Sequence, residues 1–149
     1  MLLTGTVLLL TQCQPKDIPQ TEADSLNKEF RINLNQTIAL TGKGKTDLGE
    51  ITFTHLNDSR CPTNSMCIRQ GAAITSFDLQ TTTAVKQNVR LFIGDFMPND
   101  PRNRRNRTVD TVEVQLKDRT FYRLILKEVR PYPGTSTEKA EAIMVLEKA

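Results

Sequence analysis

From Phe30 onward, apolar residues recur at every second position, the pattern of a strand with one buried face. Turn-forming clusters such as Gly42-Lys43-Gly44 and Asn57-Asp58-Ser59 separate these runs, and no stretch keeps a helical period. We therefore predict an all-β protein, an immunoglobulin-like antiparallel β-sandwich of about eight strands. The alternating positions are Phe30, Ile32, Leu34, Ile38, Leu40, Ile51, Phe53, Phe77, Leu79, Val89, Leu91, Ile93, Val112, Val114, Leu116, Leu124, Leu126, Met144 and Leu146.

Composition divides the chain into three parts. Residues 1–13 are uncharged and mostly apolar, and residues 14–27 are mostly polar with two prolines. An apolar run this short cannot span a bilayer, but it matches the apolar part of a secretory signal. We expect a signal segment over 1–13, a flexible tether over 14–27 and one sandwich domain over 28–149.

The first segment ends in Leu10-Thr11-Gln12-Cys13, which resembles the lipobox of bacterial lipoproteins. The resemblance implies cleavage before Cys13 and lipidation of its thiol. It also implies a lipid-anchored protein of the bacterial cell envelope, at the outer membrane or facing the periplasm. The alternative is a buried first strand that contains an unpaired cysteine.

The segment from Thr54 to Gly71 is chemically the most distinctive. Five residues separate Cys61 from Cys67, so a small disulfide-closed ring is sterically easy. Such a ring persists outside the cytoplasm and stabilises the fold by roughly 2 to 2.5 kcal/mol. The alternative is a copper or zinc site formed by Cys61, Cys67, His55 and Met66. One cysteine pair and one histidine fit known zinc spacings poorly, so we expect the disulfide and no metal or cofactor.

The motif Asp58-Ser59-Arg60-Cys61-Pro62, followed by Cys67 and Gly71, resembles the DSRCP...C.W.G signature of a family of small exported bacterial proteins. Many of that family are predicted lipoproteins and most are uncharacterised. The stretches 122–124 and 129–133 are similar to its carboxyl half, so the resemblance covers about residues 28–148. Arg69 stands where the family typically has Trp. The resemblance implies a cellular location and a fold, but no activity.

Asp58 and Arg60 lie at the start of this loop with opposite charges. A carboxylate in an Asn-Asp-Ser turn can accept backbone N–H bonds, and an arginine can clamp it or nearby carbonyls. We expect Asp58, Arg60 and Arg69 to brace the loop or to contact a ligand.

The net charge of +3 is concentrated in one segment. Residues 98–107 contain Arg102, Arg104, Arg105 and Arg107 against Asp100, so this segment alone carries +3 and the remainder sums to zero. We expect an exposed loop that is either solvated or contacts an anionic lipid or polysaccharide. A single arginine-rich loop without aromatic residues does not indicate nucleic-acid binding.

The sequence selects no catalytic residue. His55 is the only histidine, no glycine-flanked serine accompanies it, and nothing singles out a carboxylate pair. We therefore expect a monomeric, non-enzymatic binding or accessory domain whose partner is an envelope protein or a polysaccharide. The alternatives are a protease-inhibitor-like domain or a small hydrolase that uses the loop 58–71.

Overall fold

The computed structural model describes residues 25–82, 85–95 and 106–149. The described residues form eight strands: β1 (Glu29–Asn33), β2 (Thr37–Thr41), β3 (Asp47–Asp58), β4 (Ala72–Thr82), β5 (Val85–Gly94), β6 (Asp110–Gln115), β7 (Phe121–Arg130) and β8 (Glu141–Lys148). A single 3-10 turn, Lys43–Lys45, closes the hairpin between β2 and β3. No helix in these three ranges is long and apolar enough to cross a membrane.

The strands form two four-stranded sheets with the orders β1-β8-β7-β6 and β2-β3-β4-β5. Every strand pairing within them is antiparallel. The predicted β-sandwich is therefore confirmed. β2 to β5 form one meander and β6 to β8 another, β1 completes the first sheet beside β8, and the chain crosses between the sheets after β1 and after β5. This connectivity is simpler than the Greek-key arrangement of immunoglobulin domains.

The core lies between the two sheets. Every alternating apolar residue predicted from the sequence is buried in the core or packs against it. Phe53 and Phe77, which are paired across β3 and β4, stack with ring centroids 4.9 Å apart. The prediction succeeds because successive side chains of a strand point to opposite faces, so a local period of two already defines the buried face.

Two residues of the predicted tether, Ser25 and Leu26, already contact the sandwich. Ser25 is fully buried, and its N–H donates to the carbonyl of Thr41 (3.2 Å). Leu26 bridges to Leu146 and packs against the core. The sequence pattern did not indicate this contact, because Leu26 is a single apolar residue among polar neighbours. Cys13 and the rest of residues 1–24 lie outside the described residues.

The sandwich has two distinct ends. At one end, here called the ring end, β3, β5 and β7 finish while β4, β6 and β8 begin. At the opposite end, here called the tether end, Ser25 enters the fold beside the last residue of β2. The twelve residues of β3 run from one end to the other, a distance of about 35 Å at about 3.3 Å per residue.

Candidate functional site

The disulfide ring, residues 61–67, projects from the ring end between β3 and β4. Cys61 and Cys67 are bonded, with their Cα atoms 5.9 Å apart, which confirms the predicted disulfide. Because the sulfurs are bonded to each other, they are not available as thiolate ligands. His55 lies on the exposed face of β3, and the described residues contain no group of three metal-ligating side chains.

The stem of the ring continues the β3–β4 ladder. The N–H of Ser59 donates to Ala72 O (2.9 Å), and the N–H of Cys61 donates to Gln70 O (2.7 Å). Gly71 has a φ of +71°, and a Cβ there would lie 1.8 Å from the carbonyl oxygen of Ser59. The glycine of the motif is thus required because the two arms of the loop approach too closely for any side chain.

Arg60 is a buried hub beneath the ring. Its Nε and Nη2 donate to the carboxylate of Asp58 (2.8 and 2.6 Å). Its Nη1 donates to Val129 O (3.0 Å) and its Nη2 to Pro131 O (3.3 Å), both at the end of β7. The guanidinium also lies 4.7 Å from the ring centroid of Tyr132. Asp58 and Arg60 thus hold this loop together, and the contact links the two sheets because Val129 belongs to the opposite one.

A second contact joins the ring to the turn formed by residues 131–135. The N–H of Thr63 donates to Pro133 O (3.2 Å). Gly134 lies so close that a Cβ there would be 3.1 Å from Asn64 Oδ1. The disulfide ring, Ile68 and this turn therefore form one continuous surface, which we call the ring surface.

Met66 and Ile68 flank Cys67 on this surface and are completely exposed, at 102% and 105% of a reference side chain. Tyr132 is also exposed, at 37%. Arg69 follows directly and is exposed as well. The ring surface therefore presents apolar side chains on a cross-linked backbone, with a cation beside them.

Tyr132 lies at the centre of the concave parts of this end. Three open grooves, of about 650, 660 and 780 Å³, all include Tyr132 in their walls. Tyr132 is not among the site residues predicted from the sequence, because no local spacing indicates that it stacks on an arginine from the other sheet.

The largest groove contains carboxylates, yet their environment does not favour acid catalysis. Arg130 donates to Glu128 (2.7 and 2.8 Å), and this hydrogen bond outweighs partial burial and lowers the pKa of the Glu128 carboxyl. Glu141 lies 3.6 Å from Arg31. A general acid requires a raised pKa, so Glu128 is better suited to ion pairing than to acid catalysis.

The predicted arginine segment is only partly described. Arg102, Arg104 and Arg105 lie outside the described residues. Arg107 is described, and the expectation that it is a solvated side chain is wrong. Its Nη1 pairs with the fully buried carboxylate of Asp110, and its guanidinium lies 4.9 Å from the ring centroid of Phe92. The sequence contained one signal for this pairing, since the acidic Asp110 follows Arg107 by three positions.

This pair closes the corner at which the chain passes from one sheet to the other. Asp110, the first residue of β6, accepts the N–H of Phe92 in β5 (2.9 Å) and the N–H of Thr111 (3.0 Å). Arg107 and Gly94 exchange two backbone hydrogen bonds of 2.7 Å. Arg107 therefore stabilises this corner of the fold, with its guanidinium against Asp110 and Phe92.

The chain matches no protein-family model, no curated protein and no solved structure.

Proposed function

We propose that this protein is a non-enzymatic binding or accessory domain, anchored by a lipid at Cys13 in the bacterial cell envelope, that holds its partner through the ring surface. The observation that carries the proposal is the complete exposure of Met66 and Ile68 on a backbone closed by the Cys61–Cys67 disulfide. Single exposed apolar residues are ordinary on protein surfaces. Here, two exposed apolar side chains lie beside the same half-cystine, Cys67, and Tyr132 lies next to the ring. Together they form a contact patch.

The energetics of the ring suit binding. Burial of two large apolar side chains in a partner contributes about 3 to 5 kcal/mol. The disulfide and the Arg60 hub already fix the backbone, so little ordering entropy remains to be lost on association. A flexible loop with the same side chains would bind more weakly.

The location rests on the sequence. The segment Leu10–Cys13 resembles a lipobox, and the motif from Asp58 to Gly71 resembles that of an exported family. A stable anchor requires more than one acyl chain, at about 0.8 kcal/mol per buried methylene. Intact-mass analysis of membrane-extracted protein tests this part, because a chain that retains Met1 and carries no lipid contradicts it.

A protease-inhibitor-like role is the second candidate, and the exposed Met66 on a disulfide-closed ring favours it. An inhibitor loop has to be rigid and accessible to a cleft, and the cross-link and the exposure of Met66 support this role. A hydrolase has less support, because the arginine-paired Glu128 has a lowered pKa.

Photocrosslinking in the cells that produce the protein tests the binding role. A photoreactive amino acid replaces Met66, and a matched control replaces Phe121, which is exposed at the tether end. We expect a discrete adduct from position 66 that is absent at position 121 and is lost in the Cys61→Ser/Cys67→Ser variant. Equal labelling at both positions, or no adduct from the ring, overturns the proposal.

A further inference from the structure

We infer that the ring surface is held away from the membrane that carries the anchor, and that its occupant is a protein with an apolar pocket in the aqueous compartment. This inference rests on the proposed function for the anchor and the contact surface. It adds the orientation of the domain and the chemical class of the partner.

The first step is the position at which the chain enters the fold. Ser25 and Leu26 attach at the tether end, through the Thr41 carbonyl and the bridge to Leu146. From there β1 runs toward the ring end, where Asn33 pairs with Glu141. The lipid-bearing chain therefore joins the domain about 35 Å from the stem of the disulfide ring, the length of β3.

The second step is the reach of the connecting chain. Cys13 and Ser25 are separated by 25 − 13 = 12 residues. Twelve residues span at most about 40 Å when fully extended. A flexible chain of twelve residues has a root-mean-square span of only about 20 Å. For an inverted domain to place Met66 in the bilayer, this segment would have to run back along the whole sandwich at nearly full extension.

A domain that lies on its side would bring the outer face of a sheet against the bilayer. The outer face of the β1-β8-β7-β6 sheet carries four ion pairs, Lys127–Glu29, Arg130–Glu128, Arg123–Glu147 and Arg31–Glu141, with N···O distances of 2.6, 2.7, 3.1 and 3.6 Å. The charges of each pair cancel, so these pairs provide no net attraction to anionic lipids. Contact with a bilayer would remove hydration from charged groups without a compensating interaction, and this face therefore does not favour a membrane-bound pose.

The remaining step is the chemistry of the occupant. Met66 is unbranched and adapts to irregular apolar pockets, while Ile68 adds a stiff branched side chain beside it. A complementary protein surface would therefore provide an apolar pocket for these two side chains.

The orientation can be measured without assuming natural lipidation. Cys13 is the one thiol outside the disulfide, so a maleimide phospholipid can be coupled to it in the full chain. The product is placed in vesicles of phosphatidylcholine and phosphatidylglycerol that carry a fluorescent acceptor lipid. A donor dye is introduced through an unnatural amino acid at position 66, or at position 121 as the matched control. We expect several-fold lower energy transfer from 66 than from 121, and equal or higher transfer from 66 overturns the orientation.

The partner class has its own test. The chain without coupled lipid is mixed with the same vesicles and floated, before and after the Met66→Ser/Ile68→Ser substitution. We expect both forms to stay with the vesicles to the same extent, and ring-dependent flotation overturns the protein partner in favour of lipid. The photoadduct from position 66 should be degraded by protease to small fragments, because the expected partner is a protein. An adduct whose added mass is that of a lipid or a glycan also overturns the protein partner. A missing natural acyl chain, by contrast, contradicts only the proposed anchor.

Discussion

Two arginine–aspartate pairs lie at the ring end, and they differ in which partner is buried most deeply. In the first, the Arg60 side chain is 7% exposed and that of Asp58 is 17% exposed. In the second, the Asp110 side chain is completely buried and that of Arg107 is 15% exposed. The same two residue types thus form a cationic hub in one place and an anionic hub in the other.

The difference follows from the backbone groups that each hub has to satisfy. Arginine only donates, and Arg60 meets the carbonyls of Val129 and Pro131. An ionised aspartate only accepts, and Asp110 meets the N–H groups of Phe92 and Thr111. The sign of the buried charge matches the kind of backbone group left unpaired by the ladders. Asp110 joins two strands of the core, whereas Arg60 holds a loop. We therefore expect substitution of the two residues to have different effects on stability.

Removal of Asp110 should have the largest effect. Asp110→Ala removes the buried carboxylate that accepts from Arg107 and from the N–H of Phe92, and we expect a loss of about 3 to 5 kcal/mol in the free energy of unfolding. Urea denaturation measures it. Lys127→Ala is the matched control, because its exposed pair with Glu29 is worth about 1 kcal/mol or less. Equal losses in the two variants would show that the corner is not a hub.

Arg60→Ala should cost less, about 2 to 3 kcal/mol, because Asp58 remains partly solvated after the cation is removed. Its distinctive effect should be local. Hydrogen exchange at the Thr63 amide should accelerate, while amides in the middle of β4 keep their relative protection. Uniform acceleration throughout the sandwich would instead give Arg60 the same role as Asp110.

Loss of the disulfide tests the ring without touching either hub. Cys61→Ser/Cys67→Ser should lower the free energy of unfolding by about 2 to 2.5 kcal/mol through the entropy of the open chain. The near-ultraviolet circular dichroism of the core should be retained. A collapse of that signal would mean that the ring supports the core and does not simply project from it.

The hydrogen bond between Tyr122 and Asp118 at the tether end should make stability depend on pH. Burial, followed by the hydrogen bond to Asp118 (2.7 Å), raises the pKa of Tyr122 from the ordinary value of about 10 to about 12. The folded state therefore holds the phenol proton more tightly than the unfolded state does. This contribution to stability is complete below pH 10 and is lost between about pH 10 and 12. We expect the Tm to fall by a few degrees more across this interval than in Tyr122→Phe, and identical profiles would exclude this linkage.

The smallest effect on folding should come from the most exposed side chains. Met66→Ser/Ile68→Ser should change the free energy of unfolding by less than about 0.5 kcal/mol, since neither side chain is buried. The same variant should lose the ring-dependent photoadduct, monitored from a probe at Thr63. A large destabilisation would mean that these side chains pack against the domain, contrary to their exposure.

The sequence by itself determined the strands, their buried faces and the disulfide. These properties are local: alternation over a few residues separates the two faces of a strand, and two cysteines six positions apart can close a ring. The pairing of Asp58 with Arg60 is equally local. Lipidation of Cys13 remains a prediction, because the residue lies outside the described part of the chain.

Only the tertiary structure decided where the charged and aromatic side chains of the ring end go. Arg60 reaches Val129 and Tyr132 in the other sheet, and Phe92 on the outward side of β5 is buried beneath Arg107. No periodicity encodes such contacts, because their partners are distant in sequence or lie across a sheet corner. The backbone groups that need partners there become known only once the two sheets are stacked, and those groups determine which charge is buried.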